Sequence, residues 1–279
     1  MSKKIIFSLI IIILLNPIKA IAYGPMPSEI ADDMLFFDAF SMCPLNNSYE
    51  SEEDVIEAAL YVRPSCVRIQ LGTRYGQGTI TSIDKDEIRI LTAAHLFRGY
   101  DENSSIYSIF YNGVVKEAKL LYADKNVDVA IISVSTSDID PADLIQLKSA
   151  PVSETAFNAF EKSEKEIVFA LDSEPCSDPA KNQHYDYYGR GTKVAENYIY
   201  GTAINTNILV KNFGYKMIYA KCSAHEGMSG GGVFDIHGNL VGVLAGGTEN
   251  DEMVAVRLAD VIKVLSDLEA ASANELSGK

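Results

Sequence analysis

Short apolar segments separated by turn residues occupy most of the chain. The first of them alternates Val67, Ile69 and Leu71 with polar residues. Four more segments follow in the first half of the chain, at 88–91, 106–111, 115–122 and 127–134. A second series lies at 166–171, 198–203, 217–221, 232–235 and 240–245. Short strands in regular succession are typical of β-barrels and β-sandwiches, so the pattern predicts an all-β protein.

Helical spacing and turn signals add a few further elements. Ser51–Asp54 matches a capping box and predicts a short helix through Leu60. Apolar residues at helical spacing predict a helix near the C-terminus, at Leu258, Val261, Ile262, Leu265 and Leu268. Asp235–Asn239 has the composition of a hairpin turn between the last two apolar segments. Pro141 and Pro151 mark a crossover linker between the two series.

The N-terminal residues have the pattern of a secretory signal. Lys3 and Lys4 form a basic start, Ile5–Leu15 is almost continuously apolar, and Ala20–Ala22 has the small-x-small pattern that signal peptidase needs. The apolar run is shorter than the roughly 20 residues that span a bilayer. We therefore expect residues 1–22 to be removed, which leaves an exported protein, periplasmic or extracellular, without a stable membrane anchor. An uncleaved anchor is the alternative.

Composition and charge narrow the class of protein. The 279 residues are 47% hydrophobic and 22% charged, which is ordinary for a globular protein and excludes intrinsic disorder and a polytopic membrane protein. Acidic residues outnumber basic ones by 38 to 24, for a net charge of −14. Because nucleic-acid affinity depends on Lys and Arg contacts to phosphates, we expect no nucleic-acid partner.

The chain has four cysteines, Cys43, Cys66, Cys176 and Cys222. In an oxidising compartment an even number favours two disulfide bonds over a metal site, and three connectivities are possible. We favour Cys43 with Cys66 and Cys176 with Cys222, because each bridge then stays within one half of the chain. Cys222 and His225 have the spacing of half a zinc site, but no second pair matches it. We therefore expect no metal.

The most informative motif is Gly227-Met-Ser-Gly-Gly231. Glycines on both sides of Ser229 allow positive φ angles, which let neighbouring backbone N–H groups converge beside the hydroxyl. An oxyanion hole requires this geometry, so Ser229 is a candidate nucleophile. A phosphate-binding loop or a simple Gly-rich turn is the alternative. No lysine follows the serine, however, and the next segment resembles a strand rather than a helix.

A serine nucleophile needs a base, and the chain has four histidines. His237 lies in the hairpin turn, His184 lies in a polar loop, and His225 is only four residues before Ser229. His95 differs because it ends an apolar segment whose small final residues let the backbone turn and present the ring in a crevice. His95 is therefore the predicted base.

The third member of such a site is a carboxylate. Asp128 opens a strongly apolar segment, where a buried carboxylate needs a hydrogen-bonding partner. Asp124, in a polar turn, is the alternative. The resulting chain order of His95, Asp128 and Ser229 differs from that of α/β hydrolases, in which the acid and the histidine follow the serine. It is the order found in chymotrypsin.

Three motifs in this order resemble the active-site motifs of trypsin-like serine proteases, namely Thr92–His95, Asp128–Ile131 and Gly227–Gly231. The flanking segments Gly76–Ile80 and Gly238–Val243 are similar to the bacterial branch that includes periplasmic high-temperature-requirement proteases. The resemblance implies a chymotrypsin-like fold of two six-stranded antiparallel β-barrels with the active site in the cleft between them. With the predicted C-terminal α-helix, this is the expected architecture.

The resemblance covers about residues 60–250 and divides the chain into parts. The expected parts are a signal peptide 1–22, an N-terminal extension 23–60, a first β-barrel 61–150, a crossover linker 151–165, a second β-barrel 166–255 and a C-terminal helix 256–270. The extension is either packed against the barrels or a propeptide. Because only 11 residues follow Leu268, we expect no appended peptide-binding domain.

The resemblance also implies a mechanism. Ser229 would attack the scissile carbonyl while His95 accepts its proton and Asp128 holds the imidazole in the required tautomer. The backbone N–H groups of Gly227 and Ser229 would bind the oxyanion. The implied activity is that of a serine endopeptidase acting on protein or peptide substrates, without metal or organic cofactor. A catalytically silent homologue that binds a protein partner through the cleft is the alternative, and the intact triad favours the enzyme.

By the same resemblance, Ser223, Ala245 and Gly246 line the substrate pocket. Ser223 lies where trypsin has its substrate-binding Asp, which speaks against cleavage after Lys or Arg. Ala245 and the two glycines that follow it would form an open, weakly polar wall. No oligomeric state follows from the sequence.

Overall fold

A computed structural model of the protein describes residues 52–101, 104–163, 166–172, 198–248 and 250–277. The predicted signal peptide, Cys43, Cys176 and His184 lie outside these ranges. Within them the chain forms twelve β-strands and four α-helices. None of the described helices is long and apolar enough to cross a membrane.

The first barrel is built from the first six strands. They are β1 (Cys66–Leu71), β2 (Arg74–Ile83), β3 (Glu87–Thr92), β4 (Ile106–Phe110), β5 (Val115–Asp124) and β6 (Val129–Ser135). They close in the spatial order β1-β2-β3-β6-β5-β4, and every paired strand is antiparallel to its neighbour.

The second barrel repeats this arrangement. Its strands are β7 (Ile167–Leu171), β8 (Tyr198–Val210), β9 (Tyr215–Lys221), β10 (Gly232–Asp235), β11 (Leu240–Thr248) and β12 (Glu252–Arg257). They close in the order β10-β11-β12-β9-β8-β7, again antiparallel. The helices are α1 (Glu52–Val62), α2 (Pro141–Leu144), α3 (Glu154–Lys162) and α4 (Leu258–Ser277). The expected fold of two six-stranded antiparallel barrels with a C-terminal helix is confirmed.

The apolar pattern of the sequence does not predict two of the strands, β2 and β12. In β2, Gly78 occupies a position where a Cβ would lie 2.6 Å from the Ile90 side chain, so close packing requires a glycine instead of an apolar residue. In β12, all residues from Met253 to Val256 are apolar, so the sequence shows no alternation of apolar and polar residues there. Strand β8 also extends further than predicted, because its far half is mostly exposed and carries no regular apolar pattern.

Helices α2 and α3 lie in the stretch that the sequence suggests only as a linker. The Ser153 hydroxyl caps α3. The side chains of α3 that are buried against the second barrel are Phe157 and Phe160. Arg257, at the end of β12, donates to Glu161 of α3 at 2.5 Å. Two aromatic residues and one ion pair thus attach the connection to the second barrel.

A continuous apolar core joins the two barrels. One cluster of buried side chains fills the first barrel. The other fills the second barrel and continues into the first through Leu91, Val129 and Ile131. Residues of α1, including Val55 and Ala58, pack on the same cluster. Because burial stabilises by about 25 cal/mol per Å² of apolar surface, this shared core holds the barrels, and the cleft between them, in one arrangement.

Cys66 and Cys222 are free, buried thiols in the structure. They do not bond to each other, and their preferred partners, Cys43 and Cys176, lie outside the described residues. The two predicted disulfide bonds therefore have no support from the structure. Burial raises the pKa of both the Cys66 and the Cys222 thiol to about 12.

Candidate active site

His95 follows directly on strand β3, in a short 3₁₀ helix, Ala94–Phe97. Its Nδ1 lies 2.8 Å from Oδ2 of Asp128. A carboxylate only accepts hydrogen bonds, so this contact places the ring proton on Nδ1. The neutral ring then presents Nε2 as an acceptor, which is the form that a general base requires.

Asp128 is held in place by several backbone contacts. It is 7% exposed, and its Oδ1 accepts the backbone N–H of His95 at 2.7 Å. Its own carbonyl accepts the N–H of Ala94 at 3.2 Å. Asp128 has a φ of +56°, an uncommon left-handed conformation for a residue other than glycine. The structure thus orients both carboxylate oxygens of Asp128 towards His95.

The alternative carboxylate, Asp124, has a different role. Its Oδ1 accepts the backbone N–H groups of Asn126 at 2.8 Å and of Val127 at 3.3 Å. Asp124 therefore stabilises the turn before β6 and makes no contact with His95. Of the two carboxylates considered from the sequence, the structure thus places Asp128, and not Asp124, in contact with His95.

The Ser229 turn lies between the two barrels. The carbonyl of Ser229 accepts the N–H of Gln77 in β2 at 2.8 Å. The N–H of Gly230 donates to the carbonyl of Leu244 in β11, also at 2.8 Å. These bonds fix the turn to one strand of each barrel.

Gly230 brings this turn against the end of β3. Its φ is +90°, and a Cβ at this position would overlap the carbonyl of Gln77 and the hydroxyl of Thr92 and would lie 2.9 Å from the backbone nitrogen of Ala93. The turn therefore touches the segment that leads into His95. Between these two described residues, Ser229 and His95, the structure contains no hydrogen bond, and such bonds are often long in sites without substrate.

Two backbone N–H groups on this turn have no acceptor in the part of the chain that the structure describes. The N–H groups of Met228 and Gly231 donate to His225 and Met228 carbonyls, at 3.3 and 3.1 Å. Those of Gly227 and Ser229 donate to no acceptor among the described residues. Gly227 has a φ of +94°, which only glycine adopts without strain. The turn thus offers two free donors beside the Ser229 hydroxyl.

The predicted pocket residues are close to one another but differ in exposure. Ser223 is exposed, and its hydroxyl donates to Asp251 Oδ1 at 2.7 Å. Ala245 is buried and Gly246 is partly exposed. A Cβ at Gly247 would lie 2.9 Å from the Ala224 Cβ, so strand β11 and the segment after β9 approach closely here. Asp251 is a charged neighbour of Ser223 that the sequence analysis does not find, because it comes from the β11–β12 turn.

A second contact between a histidine and an aspartate supports the loop before Ser229. His225 Nε2 lies 3.2 Å from Asp172 Oδ2, and its Nδ1 lies 2.9 Å from the carbonyl of Glu226. Gln77 Nε2 donates to the other oxygen of Asp172 at 3.4 Å. Nothing in the spacing of these residues along the chain predicts their contact. No group of three or more His, Cys, Asp or Glu side chains within the described ranges could hold a metal ion.

Comparisons with known proteins identify the family and the fold of the chain. The family described as "Trypsin-like peptidase domain" matches residues 76–243, more than half of the chain. A solved structure, the serine endoprotease from Yersinia pestis, is similar with a TM-score of 0.52 and 19% sequence identity, over 80% of this chain and 68% of that one. This likeness is one of fold and identifies the two barrels as chymotrypsin-like. No curated protein sequence matches the chain. The chain therefore belongs to the trypsin-like peptidase domain family.

Proposed function

We propose that the protein is an exported serine endopeptidase that cleaves protein or peptide substrates through an acyl-enzyme intermediate. The observation that carries this proposal is the 2.8 Å contact between His95 Nδ1 and the buried carboxylate of Asp128, next to the Ser229 turn. A buried carboxylate in this position orients the imidazole and stabilises the imidazolium that forms when the ring accepts a proton. Membership of the trypsin-like peptidase domain family supports the same chemistry.

Acylation uses all three side chains. Ser229 Oγ attacks the carbonyl carbon of the scissile peptide bond while its proton passes to His95 Nε2. The carbonyl oxygen becomes an oxyanion and accepts hydrogen bonds from the N–H groups of Gly227 and Ser229, each lowering the barrier by about 3 kcal/mol. The tetrahedral intermediate then collapses, the C–N bond breaks, and Nε2 gives its proton to the leaving amine.

Deacylation repeats these steps with water. His95 Nε2 takes a proton from a water molecule, which attacks the ester carbonyl, and the same two N–H groups bind the new oxyanion. The C–O bond to Ser229 breaks, and the proton returns from the imidazole to the serine oxygen. Three side chains and two backbone donors account for every bond change, so the mechanism requires no metal or organic cofactor.

One observation agrees equally well with a second candidate function. The Ser229 hydroxyl and the His95 ring are not hydrogen bonded in the described structure. A catalytically silent homologue that binds a protein partner through the cleft would retain the fold without this bond. Reactivity of the serine distinguishes the two functions.

A fluorophosphonate probe measures that reactivity directly. We expect the wild-type protein to be labelled and to hydrolyse casein, and Ser229→Ala to lose both properties. Ser137→Ala is the matched control, because Ser137 is an exposed serine whose hydroxyl bonds to Ser135 and Asp138 after β6. A folded wild-type protein that neither reacts with the probe nor cleaves casein would identify the binding homologue instead.

Export is tested by the N-terminus of the protein isolated from its host. If residues 1–22 are removed, sequencing begins at Tyr23, and the protein is found outside the cytoplasm. An intact Met1 together with recovery in the membrane fraction would contradict removal of the signal.

A further inference from the structure

Arg68 projects from β1 away from the core of the first barrel. Its neighbours Val67 and Ile69 are buried in that core, so the alternation of a strand places Arg68 on the opposite face. The guanidinium carbon lies 4.8 Å from the centroid of the Tyr75 ring, which is a cation–π distance. The guanidinium therefore lies over this half-buried ring.

The guanidinium of Arg68 has no acceptor for its buried donors. Its Nε and Nη1 are both buried and have no hydrogen-bond partner among the residues that the structure describes. A guanidinium keeps its charge in proteins, and buried charges are normally paired. Nε and Nη1 lie on opposite edges of the guanidinium, so a carboxylate accepts two parallel hydrogen bonds from one of them together with Nη2, which is not among these buried atoms without a partner. The chemistry missing beside Arg68 is therefore that of a carboxylate.

Tyr75 connects Arg68 to the proposed oxyanion hole. Its ring lies so close to Gly227 that a Cβ at Gly227 would overlap the ring atom Cε2. Gly227 supplies one of the two N–H groups that have no acceptor on the Ser229 turn. Arg68 is thus separated from the proposed reacting carbonyl by a single aromatic side chain.

The strands that are hydrogen bonded to the Ser229 turn, β2 and β11, indicate which half of a bound substrate would lie beside Arg68. The carbonyl of Ser229 is bonded to Gln77 in β2, and the next residue is bonded to Leu244 in β11. Two of the predicted pocket residues, Ala245 and Gly246, follow Leu244 in β11 and would hold the acyl half of the substrate. The leaving half would then run along β2, on the side of Arg68.

We propose that Arg68, stacked on Tyr75, binds a carboxylate in the leaving half of the substrate. The carboxylate is either an acidic side chain one or two residues after the scissile bond or the terminal carboxylate of a substrate that ends there. The inference rests on the proposed function, because that function decides which half of the substrate lies beside β2.

Two pairs of quenched fluorescent peptides test this subsite in the wild-type protein. The first pair carries Glu or Gln after the scissile bond, and the second ends there in a free carboxylate or an amide. We expect a kcat/KM at least about tenfold higher for the carboxylate member of one pair, as for a hydrogen bond to a charged group. The pair whose two members differ in kcat/KM shows whether the bound carboxylate is an acidic side chain or the terminal carboxylate. Equal values within both pairs overturn the subsite.

Variants assign the preference to Arg68. In Arg68→Gln the ratio between carboxylate and neutral peptide falls to near one, and in Arg68→Lys it is intermediate, because an ammonium keeps the charge but not the planar donors. Arg74→Gln is the matched control. Arg74 lies on the same hairpin, is exposed, and donates to the carbonyl of Arg98. A ratio that Arg68→Gln leaves unchanged overturns the assignment.

Binding to Ser229→Ala separates this inference from the proposed function. The same peptides are titrated by calorimetry, which needs no turnover. If the wild type shows no turnover but the titrations show a preference for carboxylate peptides that depends on Arg68, the subsite is supported while the proposed function fails. Turnover of all peptides without a carboxylate preference supports the proposed function while the subsite fails. Absence of measurable binding by any acidic peptide also counts against the subsite.

Discussion

The backbone N–H of Gln77 donates a hydrogen bond of 2.8 Å to the carbonyl of Ser229. The carbonyl of Gln77 in turn accepts the hydroxyl of Thr92 at 2.6 Å. Gln77 thus connects the proposed nucleophile, on the second barrel, with the segment that carries His95 on the first. The distance between base and nucleophile is set by close backbone contact, which makes the small residues at this junction sensitive to substitution.

Gly230→Ala is predicted to disrupt this junction. A Cβ there would overlap the Gln77 carbonyl and the Thr92 hydroxyl, and the φ of +90° adds backbone strain. We expect a loss of about 3 kcal/mol or more in the free energy of unfolding, measured in urea, together with loss of fluorophosphonate labelling.

Gly214→Ala is the control for backbone strain alone. Its φ is +82°, but the space around a Cβ is open. We expect the free energy of unfolding to fall by about 1–2 kcal/mol and fluorophosphonate labelling to be retained. Equal losses of stability in the two variants would show that the neighbours of Gly230 accommodate an added Cβ without cost.

The sequence identifies the candidate residues of this junction but not its geometry. The motifs containing His95, Asp128 and Ser229 are local, so each can be recognised from a few residues. The apolar pattern does not predict the strand β2, because glycines replace the apolar residues that would reveal it, and only the resemblance of Gly76–Ile80 to a flanking strand indicates it. The positive φ of Asp128 and the stacking of Arg68 also depend on residues brought together by the fold, for which spacing along the chain carries no signal.

Asp128→Asn is predicted to remove most of the activity while the fold is retained. An amide can still accept the N–H of His95 through its oxygen, but its NH2 group opposite Nδ1 favours the tautomer that blocks proton transfer. We expect kcat to fall by about 10³- to 10⁴-fold, with little change in the midpoint of thermal unfolding.

The matched control for this variant is Asp124→Asn. The Asp124 side chain accepts backbone N–H groups in the turn before β6 and makes no contact with His95. Its kcat should stay close to that of the wild type. A loss of activity in Asp124→Asn as large as in Asp128→Asn would argue against the assignment of the triad.

The thiols of Cys66 and Cys222 are predicted to be unreactive in the folded protein. Burial raises the pKa of each to about 12, and the thiolate is the reactive form. At pH 8 the thiolate fraction is therefore about 10⁻⁴. We expect iodoacetamide to modify neither residue in the folded, reduced protein and to modify both after unfolding, as measured by mass spectrometry.

The same measurement without reductant tests the predicted disulfide bonds. If Cys43 pairs with Cys66 and Cys176 with Cys222, the unfolded protein remains unmodified until a reductant is added. Modification of all four cysteines in the unfolded, unreduced protein would rule out both bonds. Rapid modification of Cys66 in the folded protein would contradict its burial.

Asp235 is predicted to make the protein more stable as the pH falls below neutral. It is 3% exposed in the β10–β11 hairpin, and burial raises the pKa of its carboxyl although Asn239 and His237 donate hydrogen bonds to it. A raised pKa means that the folded state binds a proton that the unfolded state releases. The free energy of unfolding therefore rises as the pH falls through the folded-state pKa, and levels off below the ordinary value of about 4.

Urea unfolding between pH 4 and 7 of the wild type and of Asp235→Asn isolates this effect. The amide keeps an oxygen for the N–H groups of His237 and Asn239 but does not titrate. We expect the stability of the wild type relative to this variant to increase on acidification. Asp84→Asn, which changes an exposed carboxyl, should give no such trend. A relative stability that decreases on acidification would mean that the hydrogen bonds from Asn239 and His237 outweigh the cost of burying the charge.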